Sequence, residues 1–339
     1  MNKGQTIGYL LMNIGTPSDP SIKGIRKFLK EFLSDPDVID SNSILRWAIV
    51  NLIVAPFRPK KILHQYESIW MKEGSPLIVY SERFKSSLIN SNSGMNVEVG
   101  MRYGEPSIED ALGKFKSQGV SKIIICPMFP QYAQATTGSC ISRAIELIDN
   151  EGFEYSVLNH FYNEEFYIDC MVDSIKNNDS YKECDLLLFS FHGLPERQIK
   201  RLDTSGSYCI NTDNCCEQAS EFNEFCYRFH CSLTVQKIME KLGTDKSYRM
   251  CFQSRFGMDK WIQPDILTVL QDSANNGVKN IAVSCPSFVA DCLETLEEIA
   301  IRDKDAFIAM GGEKLDLIPS LNDSHDWVIG FSDYLYRNS

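Results

Sequence analysis

The chain has 339 residues, which exceeds the roughly 100 to 200 residues of one ordinary domain and predicts two domains, each with its own core. Its 34 basic and 45 acidic residues give a formal net charge of −11, which repels nucleic acid phosphates and excludes nucleic acid as a partner. No apolar run approaches the roughly 20 residues that a membrane-spanning helix requires, so we expect a cytoplasmic protein, soluble or peripherally attached to the inner membrane, with mostly reduced cysteines.

The first predicted element is a β-strand over residues 7–14. This apolar run is interrupted by Gly8 and continues directly into Gly15-Thr16-Pro17, with no small-residue cleavage site. These features are typical of a strand and not of a secretion signal.

Residues 44–57 form a segment that is apolar nearly all round. It contains Trp47 and is followed by the basic residues Arg58, Lys60 and Lys61. A stretch of this length is usually a buried core helix. The basic flank instead fits a helix that lies at a membrane interface or lines a pocket for a large apolar anion.

Three segments of the first half recur in the same order in the second half, which indicates an internal duplication. In the first pair, 11–17 and 188–195, each segment is an apolar strand that ends in Gly-x-Pro. Gly permits a turn there, and Pro prevents the strand from continuing. The other pairs are Arg102-Tyr103-Gly104 with Arg255-Phe256-Gly257, and 119–129 with 277–288.

The strands of both halves are nearly continuous apolar runs. Helical patterns at 107–116, 139–149 and 161–176 separate them. This alternation predicts parallel sheets that are covered on both faces. We therefore expect two similar doubly wound α/β domains, 1–160 and 161–339, with the last helix packing back on the first domain.

The expected ligand site lies beyond the carboxyl ends of the strands, as in other doubly wound sheets. The turns after Ile14, Phe129, Phe191 and Phe288 should then line one cleft. Neither half contains a Gly-x-Gly-x-x-Gly turn or a P-loop, so the pattern alone does not imply a nucleotide.

His192 stands at the end of the apolar strand predicted over 185–191 and directly before a Gly-x-Pro turn. This position places an imidazole at the mouth of the expected cleft. A histidine at a strand end also serves as a simple hydrogen-bonding cap of a loop. The equivalent residue of the first half is Ile14, so the imidazole departs from the shared scaffold, which favours a functional role.

A cysteine-rich segment follows at 205–231 and indicates an insertion that binds a soft metal or an iron–sulfur cluster. The spacing matches no standard zinc pattern, and one adjacent pair of cysteines indicates that one of the five is not a ligand. An exposed insertion with incidental thiols, or redox disulfides, is the alternative. The five residues are Cys209, Cys215, Cys216, Cys226 and Cys231.

Three carboxylates follow Pro286 at helical spacing. Asp291, Glu294 and Glu298 are separated by three and four residues and would share one face of a helix. A solvated acidic face is the ordinary interpretation. If the face points into the cleft, the crowded charges favour holding a proton or a divalent cation.

Short motifs lie in a fixed order along nearly the whole chain, and as a set they resemble the motifs of ferrochelatases. The resemblance implies two Rossmann-like domains around a porphyrin cleft. The motifs are Asn13-Ile14-Gly15-Thr16-Pro17, Gln65-Tyr66 with Gly74-Ser75-Pro76-Leu77, Gly100-Met101-Arg102-Tyr103, Phe129-Pro130-Gln131-Tyr132 with Thr137-Gly138-Ser139, Phe191-His192-Gly193-Leu194-Pro195, Gln253-Ser254-Arg255 and Asp291-Cys292-Leu293-Glu294-Thr295-Leu296.

The resemblance also implies an activity, the insertion of Fe²⁺ into a porphyrin with release of two protons as the terminal step of haem biosynthesis. His192 and Glu294 match the catalytic pair that meets the substrate Fe²⁺, and Glu298 is a candidate relay. Residues 44–57 match the lip beside the porphyrin entrance. The residues implied for porphyrin binding are Asn13, Ile14, Arg58, Tyr66, Ser75, Arg102, Tyr132, Pro195 and Trp261.

Some details depart from the family pattern or stay open. Many members have His two residues before the matched Glu, where this chain has Cys292, which removes one candidate metal ligand. The Cys-Leu-Glu sequence favours protoporphyrin IX, and hence protohaem as product, over coproporphyrin III. Some ferrochelatases carry a 2Fe–2S cluster, which supports a cluster at the thiols of this chain. His192 can accept a proton or ligate iron through its neutral form, but not both at once.

Two other functions remain compatible with these residues. A cobalt or nickel chelatase would act on a different tetrapyrrole. A haem- or porphyrin-binding carrier needs the apolar cleft but no acid–base pair. The oligomeric state has no sequence signal.

Overall fold

The computed structural model describes residues 6–92, 94–211, 214–257 and 259–339, which divide into two compact units. Unit 1 comprises the described residues of Met1–Phe129, Gln134–His160 and Asp323–Ser339. Unit 2 comprises those of Pro130–Ala133 and Phe161–Asn322. The C-terminal residues therefore belong to the unit that begins the chain.

Eight strands form two four-stranded sheets in the described part of the chain, and all neighbouring strands pair in parallel. They are β1 (Ile7–Gly15), β2 (Asn96–Tyr103), β3 (Lys122–Pro127), β4 (Glu154–Val157), β5 (Leu186–His192), β6 (Ser247–Gln253), β7 (Asn280–Ser284) and β8 (Lys314–Leu317). The strand order is β2-β1-β3-β4 in unit 1 and β6-β5-β7-β8 in unit 2. The identical order confirms the doubly wound α/β class for both halves and agrees with the internal duplication.

Helices flank both sheets. The α-helices are α1 (Ile22–Ser34), α2 (Ser43–Ala48), α3 (Ala55–Ile69), α4 (Pro76–Ser91), α5 (Ile108–Ser117), α6 (Ser139–Glu151), α7 (Glu165–Lys176), α8 (Asp179–Glu183), α9 (Glu196–Arg201), α10 (Tyr227–Leu242), α11 (Ile266–Asn275), α12 (Lys304–Ala309) and α13 (His325–Arg337). The described residues also contain helical segments of π geometry, namely π1 (Ile49–Val54), π2 (Gln134–Gly138) and π3 (Glu294–Asp303).

The central strands are buried on both faces, which explains their continuous apolar sequences. Leu10 and Met12 of β1 pack with Phe115 of α5 in the core of unit 1. In unit 2, Leu188 of β5 packs with Leu270 of α11. Each unit thus has the hydrophobic core of its own that the chain length predicts.

The helix predicted over 161–176 begins later than expected. The backbone N–H of Phe161 donates to the carbonyl of Pro130, and the N–H of Glu164 donates to Phe161. These hydrogen bonds form a turn, so α7 begins only at Glu165.

The central strands of each unit approach a neighbour closely at their carboxyl ends, at equivalent glycines. At Gly15, where φ is +102°, a Cβ atom would lie 1.8 Å from the carbonyl oxygen of Tyr103 in β2. At Gly193, just after β5, it would lie 2.9 Å from the carbonyl oxygen of Gln253 in β6. Only glycine fits these two positions.

Residues 44–57 do not form a buried core helix, so that interpretation is wrong. They run through α2 and π1 into α3, and several large apolar side chains point to solvent. Ile44 is 80% exposed and Phe57 72%. The others are Leu45, Trp47, Leu52 and Ile53. Helix α13, in contrast, buries its large aromatic side chain. Trp327 is buried and stacks on Phe84 of α4, with ring centroids 5.5 Å apart.

Among the helices of the described residues, none has both the length and the apolar content needed to cross a membrane.

Candidate active site

His192 ends strand β5 with its side chain half-buried. Its Nδ1 atom lies 2.6 Å from the carbonyl oxygen of Gly193. Because a carbonyl oxygen only accepts hydrogen bonds, this contact places the proton of the neutral ring on Nδ1. Nε2 then carries the lone pair through which the imidazole can accept a proton or bind a metal ion.

Two of the residues implied for porphyrin binding lie beside His192. The ring centroid of Trp261 is 6.4 Å from that of the imidazole. Trp261 also pairs with Pro195 through an isolated antiparallel bridge, and a Cβ atom on Gly193 would lie 3.0 Å from its ring. The Gly-x-Pro turn after β5 therefore packs directly against this tryptophan.

Glu294 is the first residue of π3, and it interacts electrostatically with both His192 and Glu298. Burial raises the pKa of its carboxyl group, and the neighbouring charge of Glu298 raises it further. The interaction with His192 lowers the pKa of Glu294. Glu294 therefore holds its proton to a higher pH than an ordinary glutamic acid.

Glu298 is held from three sides. Its Oε2 accepts a hydrogen bond from the hydroxyl of Ser254 and lies 3.3 Å from both Nε2 of Gln253 and Nη2 of Arg302. Ser254 adopts a φ of 66°, which is uncommon for a residue other than glycine and locates backbone strain at this site. The side chain of Gln253 also donates to the backbone carbonyl of Glu294 at 2.7 Å, so one glutamine supports both glutamates.

Asp291 does not share a helical face with the two glutamates, so that prediction is wrong. It lies in the loop before π3, where its carboxylate accepts hydrogen bonds from the hydroxyl of Thr295 at 2.9 Å and from Asn322 at 2.8 Å. Asp291 is 3% exposed and closes the loop that leads into π3.

Asp303 ends π3 as a buried carboxylate, 1% exposed. Its Oδ1 accepts from Nε of Arg302 at 3.1 Å, whereas Oδ2 has no hydrogen-bond partner among the described residues. Burial raises the pKa of Asp303 to about 6, although the charge of Arg302 lowers it. Arg302 thus contacts both Glu298 and the buried carboxyl group of Asp303, whose pKa is raised.

Asn13 and Ile14 lie at the carboxyl end of β1 in unit 1, and Ser75 precedes α4 as its N-cap residue. The side chain of Asn13 accepts a hydrogen bond from the N–H of Ile14 at 2.8 Å. The hydroxyl of Ser75 bonds to the hydroxyl of Thr16 at 2.9 Å. These contacts order the Gly-x-Pro turn of unit 1 and the start of α4.

Arg102 is engaged within unit 1. Its Nη2 donates to Asp35 at 2.6 Å, and its Nε donates to the hydroxyl of Ser139 at 2.8 Å. The hydroxyl of Tyr103 donates to the same carboxylate at 2.7 Å. The guanidinium therefore supports the carboxyl end of β2.

Arg58 and Tyr66 lie on α3, which the side chain of Arg26 anchors to α1 by donating to the carbonyl of Ala55 at 2.9 Å. Tyr66 is buried, with its ring 6.5 Å from that of Trp70. Arg58 is half-buried beside the exposed apolar segment.

Tyr132, in unit 2, is tied to the cysteine-rich segment. Its backbone N–H donates to Nδ1 of His230 at 3.1 Å, and Nε2 of His230 contacts the carbonyl of Glu224 at 2.7 Å. The ring of Phe225 lies 5.1 Å from that of Tyr132. Both nitrogens of the buried His230 are therefore engaged.

The structure brings four of the five clustered thiols together. The Sγ atoms of Cys215 and Cys216 are 3.8 Å apart, and the thiol of Cys226 forms hydrogen bonds with Cys209 and Cys216. Cys231 lies inside α10, where its thiol hydrogen-bonds to Tyr227 and interacts electrostatically with Cys226 and Cys216. The thiol group, as used below, means Cys209, Cys215, Cys216 and Cys226.

Two donors point at the thiol group. The N–H of Ile210 lies 3.4 Å from the sulfur of Cys215, and Nη1 of Arg228 lies 3.4 Å from that of Cys216. Ile210 adopts a φ of 62°, an outlier for a β-branched residue. Within the part of the chain that the structure describes, no group of three or more His, Cys, Asp or Glu side chains meets the arrangement needed to hold a metal ion.

Some residues of this site carry no sequence signal of their own. Arg302 and Asp303 are adjacent charges that resemble any solvated helix end, and Tyr227 resembles an ordinary core aromatic. Gln253 was detectable, because it belongs to the Gln253-Ser254-Arg255 motif that contributes to the family resemblance.

A family model described as Ferrochelatase matches residues 6–338 of the chain. The chain is 45% identical over 324 residues to the ferrochelatase of Coxiella burnetii (strain Dugway 5J108-111), which covers 95% of this chain and 91% of that protein. It is 40% identical over 330 residues to the ferrochelatase of Bdellovibrio bacteriovorus (strain ATCC 15356 / DSM 50701 / NCIMB 9529 / HD100), with 96% and 97% covered.

Solved structures share the fold at low identity. SirB from Bacillus subtilis with Fe3+ superposes with a TM-score of 0.53 at 11% identity, covering 98% of this chain and 95% of that chain. The sirohydrochlorin chelatase SirB from Bacillus subtilis subspecies spizizenii in complex with cobalt gives a TM-score of 0.51 at 10% identity, with 98% and 95% covered. At this identity the likeness concerns the fold alone.

Replacement of Asp303 by Asn is expected to stabilise the protein above pH 6 and to change little near pH 4. The folded-state pKa is raised from 3.8 to about 6, so the stability contribution of Asp303 is complete below about pH 4 and is lost as the pH rises through 6. The gain for Asp303→Asn above pH 7 should be on the order of 2 to 3 kcal/mol. Urea unfolding between pH 4 and 8 measures it.

The exposed Asp305→Asn is the matched control and should show no such pH dependence. Stability curves of Asp303→Asn and wild type that run parallel across this pH range would contradict the prediction.

Proposed function

Because this chain belongs to the ferrochelatase family, we propose that it inserts Fe²⁺ into protoporphyrin IX, giving protohaem and two protons. It is then a metal chelatase of the lyase class that performs the terminal step of haem biosynthesis. The observation that carries the proposal is the pairing of an imidazole bearing a lone pair on Nε2 with a glutamate of raised pKa. A porphyrin carrier needs no such acid–base pair.

His192 acts as the base. Metallation replaces two pyrrole protons by one Fe²⁺, so a group at the ring must accept protons. Nε2 of His192 accepts a pyrrole proton while Nδ1–H stays bonded to the Gly193 carbonyl. The imidazolium that forms keeps this hydrogen bond, so the ring does not need to turn during the step.

Glu294 and Glu298 carry the protons away. Glu294 neighbours His192 and takes up a proton readily because its pKa is raised. Glu298 follows on π3 and is tied to Arg302, whose guanidinium reaches the surface. After each proton leaves, the ionised carboxylates attract the next substrate Fe²⁺ toward the base.

The positions of several residues near the strand ends support the proposed porphyrin contacts. In unit 2, the proposed contacts are Trp261, Pro195 and Tyr132, which offer apolar and aromatic surface to a macrocycle. In unit 1, the proposed contacts are Asn13 and Ile14 at the end of β1, Ser75 before α4 and Tyr66 on α3. Arg58 pairs with a propionate. Arg102, which Asp35 and Ser139 already engage, contributes by supporting β2.

The thiol group fits a 2Fe–2S cluster as a resident cofactor. Two sulfurs bound to one tetrahedral metal at about 2.3 Å lie about 3.8 Å apart, and the Cys215 and Cys216 sulfurs are separated by 3.8 Å. In a 2Fe–2S cluster the thiolates bind in pairs to two irons, so a single-ion arrangement is not required. We assign the cluster to the thiol group and exclude Cys231, which lies inside α10.

The burial pattern of the segment supports this assignment. Among the described residues of 204–225, the buried ones are Cys209, Cys215 and Asn223. A segment without an apolar core of its own needs another source of order, and thiolate–metal bonds supply it in small domains. When bound, the cluster would supply this cross-link, and the N–H of Ile210 and Arg228 would donate to its thiolates.

The exposed apolar segment 44–57 supports peripheral binding to the inner membrane. Trp47 and Phe57 are 58% and 72% exposed, and the adjacent Lys60 and Lys61 are exposed as well. Apolar side chains enter the lipid interface while lysines bind anionic headgroups. A porphyrin dissolved in the membrane could then reach the protein without crossing water.

His192→Ala is expected to lower the rate of metallation about 10²- to 10⁴-fold, because the base is removed. Porphyrin binding, measured by fluorescence quenching, should persist. His192→Met keeps a lone pair for iron but offers no basic nitrogen, so it should be as inactive as Ala. A Met variant near wild-type activity would assign His192 to iron binding, and an active Ala variant would exclude the catalytic role. The exposed His325→Ala is the control.

Protein purified under anaerobic conditions is expected to show the visible charge-transfer bands of a 2Fe–2S cluster. Serine at any member of the thiol group should remove these bands, because oxygen is a poor substitute for a soft thiolate. Cys231→Ser is the matched control and should retain them. Colourless wild-type protein without bound iron would refute the cluster.

Vesicles that contain anionic lipid are expected to bind the protein, and added salt should weaken binding by screening Lys60 and Lys61. The double variant Trp47→Ser/Phe57→Ser should bind about tenfold more weakly in a sedimentation assay, because apolar area is lost. Leu267→Ser, at a residue 45% exposed in unit 2, serves as control. Equal binding of all variants would exclude this surface.

A further inference from the structure

Tyr227 connects the thiol group to the catalytic imidazole. It is the first residue of α10, directly after Cys226, and is 5% exposed. Its hydroxyl donates to the backbone carbonyl of His192 at 2.9 Å. The sulfur of Cys226, one residue earlier, contacts Cys209 and Cys216.

The peptide bond between His192 and Gly193 is held at both of its polar atoms. Tyr227 binds its carbonyl oxygen at 2.9 Å, and its N–H donates to the carbonyl of Gln253 at 2.8 Å. The imidazole is attached to the Cα atom directly before this peptide bond. Its Nδ1 atom hydrogen-bonds to the next carbonyl, that of Gly193. A tilt of this peptide would therefore move Nε2 relative to the substrate.

At the end of β5, no neighbouring strand among the described residues replaces the hydrogen bond that Tyr227 donates to the His192 carbonyl. β5 ends at His192, and pairing with β7 ends at Phe189, so beyond that point β6 is the strand that holds β5. The His192 carbonyl therefore depends on the helix start for its hydrogen bond. A partly buried carbonyl that loses its partner would cost stability and favour a rotated peptide.

Residues around the start of α10 also contact Tyr132. Phe225, on the other side of Cys226, lies 5.1 Å from the ring of Tyr132. His230, one turn into α10, accepts from the Tyr132 backbone at 3.1 Å and contacts Glu224 at 2.7 Å. The residues flanking Cys226 therefore contact one residue proposed for porphyrin binding and the residue proposed as base.

We propose that Tyr227 is a positioning residue for His192, and that the thiol group sets the place of Tyr227 through Cys226. The cysteine-rich segment then acts on catalysis by orienting the base, with no part in proton or iron transfer. The proposal rests on the role of His192 given above and concerns residues of this chain, whichever species the thiols bind.

Tyr227→Phe tests the first half, because it removes one hydroxyl and keeps the ring. We expect kcat to fall about 3- to 10-fold through the loss of the hydrogen bond to the His192 carbonyl, while the porphyrin KM stays within about twofold and the visible spectrum is unchanged. Tyr334→Phe is the matched control, since it removes a hydroxyl that donates to a backbone carbonyl, that of His160, at 3.3 Å in unit 1. It should leave kcat unchanged.

Thermal unfolding of both variants separates positioning from general destabilisation. The proposal is supported if both variants lose a similar amount of melting temperature and kcat falls only in Tyr227→Phe. An unchanged kcat in Tyr227→Phe, or an equal drop in both variants, would overturn it.

A double-mutant cycle tests the second half. Cys226→Ser should lower kcat, and adding Tyr227→Phe should then cost less than twofold, because the displaced hydroxyl no longer reaches His192. Losses that multiply would overturn the link through Cys226. An active His192→Ala would instead refute the proposed function, and a colourless wild type would refute only the cluster, so each failure is recognised separately.

Discussion

The close approach of β5 and β6 at their carboxyl ends is the constraint on which the site depends. Gly193 donates to the Gln253 carbonyl at 2.8 Å, and a side chain at 193 would collide with it. The side chain of the same Gln253 then reaches Glu294 and Glu298. The imidazole of His192 and the two carboxylates are therefore supported by one short stretch of β6, which couples their positions although they lie far apart in sequence.

The fold and the central histidine were predictable from local features. Strands buried on both faces leave continuous apolar runs, and the Gly-x-Pro turns recur because both sheets need the same sharp exit. The duplication gave His192 a counterpart, Ile14, and this contrast drew attention to the imidazole. Gly15 and Gly193 occupy equivalent positions in the two units, since each lies against a backbone carbonyl of the neighbouring strand.

Other features depended on tertiary structure that no periodicity encodes. The spacing of Asp291 and Glu294 assumes an α-helix, but the helix begins at Glu294 and has π geometry. The exposed side chains of 44–57 have the composition of a core helix, so only the folded surface reveals them. The burial of Asp303 follows from packing at the end of π3 and has no trace in the residue order.

The cysteine-rich segment has a consequence for how the molecule matures. Each sheet packs on a hydrophobic core, whereas the described residues of 204–225 bury little besides Cys209, Cys215 and Asn223. With the proposed cluster in the thiol group, assembly would fall into two stages, a collapse of the sheets and a later ordering of the segment that waits for this ligand from outside the chain. The supply of that ligand, rather than translation, would set when a newly made molecule becomes competent.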